Sequence, residues 1–243
     1  MYAVVGDLHG CFYTLRKLIE TVEKKYKDII FVFVGDLIDR GKYSKETLQF
    51  LLQLSKNYRC IFLMGNHEDI FFNFIFGKTD EKLWFLNGGK LTVSSFTNDD
   101  IKTVNELRSF CYKNIYEKFK TIFDNMKLYQ EIVITKKFLI SHAGGLKINT
   151  PLDKLDKDCK ELLLWERGID FYDKPYKDYI LVHGHTPTFM ISKNSQCSVY
   201  INKIADSIIS INVDTGCVYG YSLSALLIDE DGTFDTISVE CLD

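Results

Sequence analysis

The first third of the chain alternates short apolar runs with segments of helical periodicity. Residues 2–5 and 29–34 are rich in Val, Ile and Phe, a pattern typical of strands buried on both faces. Between them, apolar residues recur at the spacing of an amphipathic helix: Phe12, Leu15, Leu18, Ile19 and Val22. Ser44 is expected to cap a second helix, and residues 60–63 form a third predicted strand. This order predicts parallel strands joined by helical crossovers.

The pattern changes after residue 68. Residues 68–130 mix aromatic and polar side chains without alternation and are predicted to be mainly helical, with a break at Asn87-Gly88-Gly89. Strands then dominate, at residues 131–134, 138–141, 179–182, 198–201, 208–213, 223–229 and 233–239. No linker-like stretch separates these parts, so we expect one α/β domain over residues 1–243. Two sheets packed face to face, with helices outside, fit this pattern.

Composition narrows the possible classes of protein. Apolar residues make up 46% of the 243 positions and charged residues 26%, values that suit a soluble globular protein and exclude a disordered chain. A net charge of -3 argues against a nucleic-acid binder. The seven cysteines are scattered, and none has CxxC spacing, so we expect reduced thiols rather than a disulfide framework or zinc knuckle. Without a signal-like or membrane-spanning apolar run, the expected location is the cytoplasm.

Candidate chemistry lies where the predicted strands end. Five polar clusters follow strands, with the sequences GDLHG (6–10), GDLIDRG (35–41), GNHE (65–68), SHAGG (141–145) and HGHTP (183–187). All five histidines of the chain fall within them. Histidines placed for packing would spread over helix faces and loops. Their concentration beside Asp and Asn at strand ends, where open α/β sheets bind ligands, indicates metal ligands.

The spacing within the clusters suggests two cation sites that share one carboxylate. Asp7 and His9 are two residues apart, so in extended backbone they point to the same side and could hold one ion. A second ion could be held by Asn66, His142 and His185. Asp36 could bridge both ions through its two oxygens. Such a pair would clamp a phosphate and generate hydroxide at neutral pH.

The donor set bears on the metal and on the remaining polar groups. Oxygen and nitrogen donors without thiolate suit manganese, iron or zinc more than calcium, and the donor set does not choose among them. We expect two divalent ions, manganese ahead of iron, zinc or nickel. His67 is free to protonate a leaving alkoxide, with Asp39 orienting its ring. Arg40 offers a guanidinium fork for phosphate oxygens. Together these groups predict hydrolysis of a phosphate ester by direct attack of water, without a covalent intermediate.

In this order, the five motifs resemble the signature of the calcineurin-like metallophosphoesterases. More narrowly, they are similar to the serine/threonine protein phosphatase branch, which includes bacteriophage-type enzymes. The resemblance extends through Asn87-Gly88-Gly89, similar to an NGG element, and Trp165-Glu166-Arg167, similar to a W-x-R element. It ends near residues 214–217 (DTGC), so it covers nearly the whole chain.

The resemblance implies a fold and residue roles. The implied fold is a β-sandwich flanked by helices, with four layers in the order αββα. The implied ligands are Asp7, His9 and Asp36 for one metal and Asp36, Asn66, His142 and His185 for the other. His67 would be the proton donor with Asp39 as its partner, while Arg40, Arg167 and Asn66 would bind phosphate. Two positions depart from the family pattern: Met64 stands where many protein phosphatases carry Arg, and Pro187 stands where broader relatives place a further histidine.

Two enzyme activities and one non-catalytic role are compatible with these motifs. The first is hydrolysis of phosphoserine and phosphothreonine in proteins, and the alternative is symmetrical hydrolysis of diadenosine tetraphosphate. Asp39 within GDLIDRG and Glu68 within GNHE favour the protein phosphatase branch. A phosphate-binding scaffold would be expected to lack a ligand or His67, and none is lost. His183 and Trp165 are expected to be a buried strand-end residue and a pocket wall.

Overall fold

The first of two five-stranded sheets contains both ends of the chain. The computed structural model describes residues 1–145, 157–192 and 197–243. The strands of the first sheet are β1 (Tyr2–Val5), β2 (Ile30–Phe33), β3 (Arg59–Phe62), β9 (Ser222–Ile228) and β10 (Phe234–Glu240). Their order is β10-β9-β1-β2-β3, in which β1, β2 and β3 are parallel and β9 runs antiparallel to β1. The predicted crossovers of the first third are therefore confirmed.

The second sheet is formed by strands from the middle of the chain. It contains β4 (Tyr129–Val133), β5 (Lys137–Ser141), β6 (Tyr179–His183), β7 (Tyr200–Ile204) and β8 (Ser207–Asn212). The order is β4-β5-β6-β8-β7, with β5, β6 and β8 parallel and the two edge strands antiparallel to their neighbours. Each sheet thus has three parallel strands, whose carboxyl ends are available for a site.

Helices cover the outer faces of both sheets. Among the described residues, the α-helices are α1 (Phe12–Lys25), α2 (Ser44–Asn57), α3 (Asn66–Ile75), α4 (Glu81–Leu86), α5 (Gly89–Phe96), α6 (Val104–Cys111), α7 (Lys120–Phe123) and α8 (Lys157–Trp165). A π-helical turn, Tyr112–Tyr116, follows α6. No helix of the described residues has the length and apolar character needed to cross a membrane.

The alternation of side chains along each strand produces the layers. Ala3 and Val5 of β1 pack against the core beneath α1, while Val4 points into the space between the two sheets. Val182 of β6 lies in that same inner cluster, and Leu181 lies in a third cluster under α8. The order of layers is helices, first sheet, second sheet and α8. The four-layer αββα sandwich expected from the sequence is confirmed.

Two local expectations had different outcomes. The break at Asn87-Gly88-Gly89 occurs as predicted, because Gly88 has a φ of 99° between α4 and α5, a conformation that glycine adopts readily. The prediction that Ser44 caps α2 was wrong. Tyr43 is the N-cap of α2, and Ser44 is the first helical residue, with its hydroxyl 3.2 Å from that of Thr92 on α5. Tertiary packing of α2 on α5 has replaced the local cap.

Candidate metal centre

The carboxyl ends of the parallel strands bring the predicted ligands together. Asp7 and His9 follow β1, and Asp36 follows β2. Asn66 begins α3 just after β3, while His142 and His185 follow β5 and β6. All six side chains are buried, with exposed fractions between 0% and 4%. The two sheets therefore contribute to one site, as the sequence predicted from strand ends.

Asp36 lies between two groups of possible ligands. One group contains His9, Asp36 and His67, and the other contains Asp36, His142 and His185, with the ligand atoms of each group within 4.8 Å of one another. Oδ2 of Asp36 is 3.3 Å from Nε2 of His9, and Oδ1 is 3.5 Å from Nε2 of His142. Each carboxylate oxygen therefore faces a different group. This is the geometry expected of a bridging carboxylate.

Backbone carbonyl groups fix two of the imidazole rings. Nδ1–H of His9 donates to the carbonyl oxygen of Ile38 at 3.0 Å, and Nδ1–H of His142 donates to that of Val34 at 3.0 Å. In the neutral tautomer, each ring then presents an unprotonated Nε2 to the site. Orientation of a ring by a hydrogen bond on its far nitrogen is typical of metal-ligating histidines.

The second group brings together more acceptors than hydrogen bonds can satisfy. Oδ1 of Asn66 is 3.0 Å from both Nε2 of His142 and Nδ1 of His185, and the two ring nitrogens are 3.1 Å apart. Because Nε2 of His142 carries a lone pair, it has no proton to offer the amide oxygen. A divalent cation among these atoms would satisfy all three. The residues present therefore fit the metal ion that this donor chemistry requires.

The pKa shifts indicate the same need for positive charge. Burial raises the pKa of Asp7 well above its ordinary value, and the neighbouring Asp214 and Asp36 carboxylates add to the shift. Burial likewise raises the pKa of Asp214 to about 7 and of Glu68 to about 8. Burial lowers the pKa of His185 to about 2, which leaves this ring neutral. Crowded buried carboxylates beside neutral imidazoles are electrostatically suited to divalent cations.

Asp7 occupies a less central position than the other expected ligands. Its two carboxylate oxygens accept hydrogen bonds from the backbone N–H of His185, at 3.2 and 3.1 Å. Asp7 belongs to neither of these two groups, and His67 stands in the first group beside His9. The assignment of Asp7 as a ligand therefore stays a prediction. Because His67 lies beside His9 and Asp36, it has two candidate roles, metal ligand and proton donor.

His67 is held by a buried carboxylate that is itself fully bonded. Nδ1 of His67 lies 2.9 Å from Oδ2 of Asp39. The hydroxyl of Thr92 donates to Oδ1 of Asp39 at 2.6 Å, and Nε1–H of Trp84 donates to the same carboxylate at 3.0 Å. Nε2 of His67 is buried and has no hydrogen-bond partner among the described residues. This ring nitrogen lies 3.9 Å from Oδ2 of Asp36, on the side of the first group.

The charges around His67 favour its protonated form. Burial alone would lower the pKa of His67, but the Asp36 charge and the hydrogen bond to Asp39 raise it above the ordinary value. A raised pKa suits a group that donates a proton near neutral pH. Trp84 and Thr92 were not identified from the sequence, because they lie on α4 and α5, far along the chain from Asp39.

The two glycines after Asn87 explain why these helices approach the site so closely. A Cβ on Gly88 would lie 2.6 Å from the backbone nitrogen of Arg40, and a Cβ on Gly89 would lie 2.4 Å from the Trp84 ring. The NGG element therefore lets the turn between α4 and α5 lie against the backbone of Arg40. It also lets Gly89 lie against Trp84, the residue that binds Asp39. A larger residue at either position would displace them.

The two predicted phosphate-binding arginines lie near different parts of the centre. Nη1 of Arg40 is 2.8 Å from Nε2 of His9, so this guanidinium faces the first group. Nη1–H of Arg167 donates to the carbonyl oxygen of His185 at 3.4 Å, beside the second group. Arg40 is partly buried, whereas Arg167 is exposed. The two guanidinium groups therefore lie beside different groups of the centre.

Glu68 connects the loops that carry the ligands. Its carboxylate accepts hydrogen bonds from the backbone N–H groups of Asp36, Leu37 and Gly65, at 2.9, 2.8 and 3.0 Å, and it is fully buried. One side chain therefore fixes the loop after β2 to the start of α3. The GNHE motif places a structural carboxylate next to the proposed acid.

We expect Glu68→Gln to destabilise the fold by about 1–3 kcal/mol, because an amide NH₂ would face backbone N–H groups that now have an acceptor. Urea unfolding should give a lower midpoint with an unchanged slope. Glu20→Gln on the exposed face of α1 is the matched control and should lie within about 0.5 kcal/mol of the native protein. An equal effect of the two variants would contradict the bridging role of Glu68.

Several of the predicted site residues have an unusual backbone conformation. His9, Asp36, Asp39, Arg40 and His185 all have positive φ, between 45° and 71°, which is uncommon outside glycine and concentrates at functional sites.

A second polar network, behind the predicted ligands, connects His183 to the loop after β8. Nε2 of His183 lies 3.2 Å from Asp170, Asn212 donates to that carboxylate at 3.2 Å, and the Asn212 amide oxygen accepts from Asp214 N–H. His183 is therefore a buried supporting residue.

Known proteins with similar sequences point to the same class. Residues 2–216 match the calcineurin-like phosphoesterase family, so the chain belongs to that family. Its members are metallophosphoesterases, hydrolases whose chemistry implies bound divalent metal ions. The family resemblance inferred from the five motifs is confirmed.

Individual relatives differ in the substrates they are named for. The chain is 27% identical over 259 residues to PrpE of Anoxybacillus flavithermus, an asymmetrical bis(5'-nucleosyl)-tetraphosphatase, covering 98% of this chain and 94% of the relative. The PrpE protein of Halalkalibacterium halodurans is 26% identical over 249 residues, covering 94% of this chain and 90% of the relative. A serine/threonine phosphatase structure from Saccharomyces cerevisiae has a TM-score of 0.60 at 16% identity, covering 100% of this chain and 80% of that one. A cold-active protein tyrosine phosphatase structure has a TM-score of 0.63 at 18% identity, covering 97% and 79%. These structures share the fold.

Proposed function

We propose that this protein hydrolyses phosphate esters or anhydrides at a dinuclear metal centre with Asp36 as the shared ligand. The observation that carries the proposal is the position of Asp36, whose two oxygens face separate groups of imidazoles. His9 and Asp7 would complete one ion's ligands, and Asn66, His142 and His185 the other's. Divalent ions held there supply Lewis acidity toward the phosphate and toward water. Manganese is the ion we expect to be most effective.

The protein's own side chains would bind the phosphate and protonate the leaving group. Arg40 and Arg167 would bind phosphate oxygens from two sides, and the Asn66 amide would add a further contact. His67 would transfer the proton from Nε2 to the departing oxygen, while Asp39 holds Nδ1 and stabilises the charged ring. The bonds from Thr92 and Trp84 keep Asp39 in place during this step. Burial of the site excludes bulk water from the proton donor.

A cleft beside the metal centre bears on the substrate class. The Trp165 ring is 42% exposed and meets the His185 ring edge-on, with ring centroids 6.2 Å apart. A cleft of about 460 Å³ adjoins Trp165 between α3 and α8, and it is lined by Asp69, Asn73, Lys78, Thr79, Lys160, Glu161 and Leu164. This volume suits a small ligand group such as a nucleoside. An exposed indole offers a stacking surface, and the lysines offer phosphate contacts.

We therefore propose a dinucleoside tetraphosphate as the principal substrate, with one nucleoside in this cleft and the phosphate chain over the metal centre. The relatives named as asymmetrical tetraphosphatases match over nearly their whole length, which supports this class. Phosphoserine and phosphothreonine in proteins are the second candidate, favoured by the Asp39–His67 pair and by Glu68 within the GNHE motif. The symmetrical alternative considered from the sequence differs in its products.

The proposed function is tested by a side-by-side assay with manganese on diadenosine tetraphosphate, phosphoserine peptide and phosphotyrosine peptide. We expect the highest kcat/KM on the dinucleotide, with ATP and AMP as products. Two molecules of ADP would indicate symmetrical cleavage, and faster hydrolysis of the phosphoserine peptide would favour the second candidate. A chelator should abolish activity, and added manganese should restore it. Full activity in a verified metal-free sample would overturn the dinuclear centre.

Replacing Trp165 by Ala should raise the KM for diadenosine tetraphosphate roughly 5–100-fold, because base–aromatic stacking contributes about 1–3 kcal/mol. The kcat/KM for 4-nitrophenyl phosphate should change less than about threefold, because this substrate carries no nucleoside. Val133→Ala, at another exposed apolar side chain, is the matched control. An equal loss on both substrates would place Trp165 in the support of His185 instead.

A further inference from the structure

Three cysteine side chains and one carboxylate meet where the two ends of the chain come together. Cys11 precedes α1, Cys217 follows the DTG segment, and Cys241 and Asp243 follow β10. We propose that Cys11, Cys217, Cys241 and Asp243 form a separate site for a divalent metal ion of the zinc type. None of these residues belongs to the His/Asp centre.

The distances among these groups suit one shared ion. The Sγ atoms of Cys11 and Cys217 and a carboxylate oxygen of Asp243 all lie within 4.8 Å of one another. Cys217 is also within hydrogen-bonding reach of both Cys11 and Cys241, so it stands at the centre of the three thiols. Around a tetrahedral ion with Zn–S bonds of about 2.3 Å, ligand atoms are roughly 3.5–3.8 Å apart. Cys11, Cys217 and Asp243 supply three such ligands. Cys241 lies outside this group but is close to Cys217, so its sulfur would move toward the ion to complete the coordination shell.

The Asp243 carboxylate is fixed by the start of α1. Its oxygens accept hydrogen bonds from the backbone N–H groups of Tyr13 and Thr14, at 2.9 and 3.1 Å, and from the Thr14 hydroxyl at 2.6 Å. Cys11, the N-cap of α1, makes no capping bond with its own side chain. Asp243 therefore caps the helix from the far end of the chain. Oδ1 accepts only the Tyr13 bond among these, which leaves it a lone pair for an ion.

These cysteines would need a cation to become thiolates, because contact with Cys217 and burial raise the pKa of Cys11, and burial raises the pKa of Cys241. Three thiolates and a carboxylate around a divalent cation carry a net charge of −2. The complex would lie at the amino end of α1, where the helix dipole stabilises negative charge. Soft sulfur donors select zinc-type ions over the magnesium and manganese that oxygen donors prefer. The two centres of the protein would therefore hold different metals.

A path for the ion exists beside the cluster. A cavity of about 210 Å³ is lined by Cys11, Cys241 and Asp243, and also by Arg40, Tyr43 and Val218. Cys241 is half-buried and Asp243 exposed, so the ion can be reached from solvent on their side. Cys11 and Cys217 close the inner side, since both are buried.

The proposed site has a structural consequence for the catalytic loops. Cys11 is two residues from His9, and Cys217 is three residues from Asp214. An ion held by all four ligands would connect the loop after β1, the loop after β8 and the strand-end segment after β10. Three of the four ligands lie beyond residue 216, where the match to the family ends.

Cobalt(II) titration of the full-length, metal-stripped protein under reducing conditions tests the proposal. Thiolate ligands give a sulfur-to-cobalt charge-transfer band in the near ultraviolet, whereas the His/Asp centre, with nitrogen and oxygen donors only, gives none. We expect this band to account for one cobalt ion per chain, in addition to the ions that the His/Asp centre binds, and to disappear on adding zinc. The native protein without such a band would overturn the proposal, whatever the activity of the enzyme.

Variants assign the band to these ligands. Cys217→Ser should abolish it and lower zinc content by one ion per chain, whereas Cys60→Ser, at a partly buried thiol on β3, should leave both unchanged. If Cys217→Ser does not fold, Cys241→Ser at the half-buried position serves the same purpose. A band that survives in every cluster variant, or that is lost in Cys60→Ser, would contradict the assignment. Hydrolysis assays of these variants separately report the His/Asp centre.

Discussion

His67→Asn is expected to lower turnover of a phosphoserine peptide roughly 10²–10⁴-fold, the loss typical of a removed general acid when the leaving group is an alkoxide. The structure supports this role because Nδ1 of His67 is bound to Asp39, and Nε2 is buried with no partner. The measurement is kcat under saturating substrate, together with the number of metal ions per chain in the purified variant. Metal content should stay at the native value.

The leaving group provides the control that separates an acid from a ligand. Nitrophenolate departs without a proton, and so does the phosphate leaving group of a dinucleotide. His67→Asn should therefore slow 4-nitrophenyl phosphate hydrolysis far less than hydrolysis of the phosphoserine peptide, whose alkoxide needs a proton to depart. His67 also stands within 4.8 Å of ligand atoms of His9 and Asp36. If it were a ligand, the variant would lose metal, and both substrates would suffer equally. That result would remove the acid role.

Asp36→Asn is expected to lower turnover by roughly a thousandfold or more, because two ions that each supply several kcal/mol of charge stabilisation lose their shared ligand. An amide offers one neutral oxygen in place of two charged ones, so it cannot bridge the groups that contain His9 and His142. Both metal ions should be lost in parallel. The measurements are kcat and metal content after dialysis against metal-free buffer.

Asp235→Asn on the exposed face of β10 is the control for this change, since it removes the same charge far from the centre. Retention of one tightly bound ion in Asp36→Asn would indicate that the two groups bind metal independently. Native activity in a correctly folded Asp36→Asn protein would contradict the bridging role altogether. A urea unfolding curve distinguishes a folded variant from a damaged one.

The layered fold was largely accessible from side-chain periodicity. The run Tyr2–Val5 is a strand with the predicted bounds, and the limits of the other strands lie within three residues of the predicted ones. Strand limits shift because they depend on where a partner strand stops. Helix α2 illustrates the same effect at Ser44, where packing against Thr92 determined the hydroxyl's partner. Local propensity alone does not contain that information.

The candidate site was accessible because its residues follow strands. Asp36, Asn66, His142 and His185 each stand just after a buried strand, and parallel strands bring their carboxyl ends to one edge. The orientation of each ring was not accessible. It depends on carbonyl groups such as that of Val34, which accepts from His142 across the two sheets. The orientation of Asp7 was not accessible either. This residue also follows a strand, but its carboxylate is directed at the His185 amide.

The amino-acid sequence by itself determined which residues can bind metal, donate a proton or hold phosphate, and it determined the alternation that buries one face of each strand. Only the tertiary structure decided which of these residues meet. It brought Trp84 and Thr92 to Asp39. It also brought Cys11 to Cys217, although the spacing of the cysteines along the sequence indicated no shared site. The reason is physical: ligand chemistry belongs to single side chains, whereas proximity between distant residues arises only when sheets and helices pack.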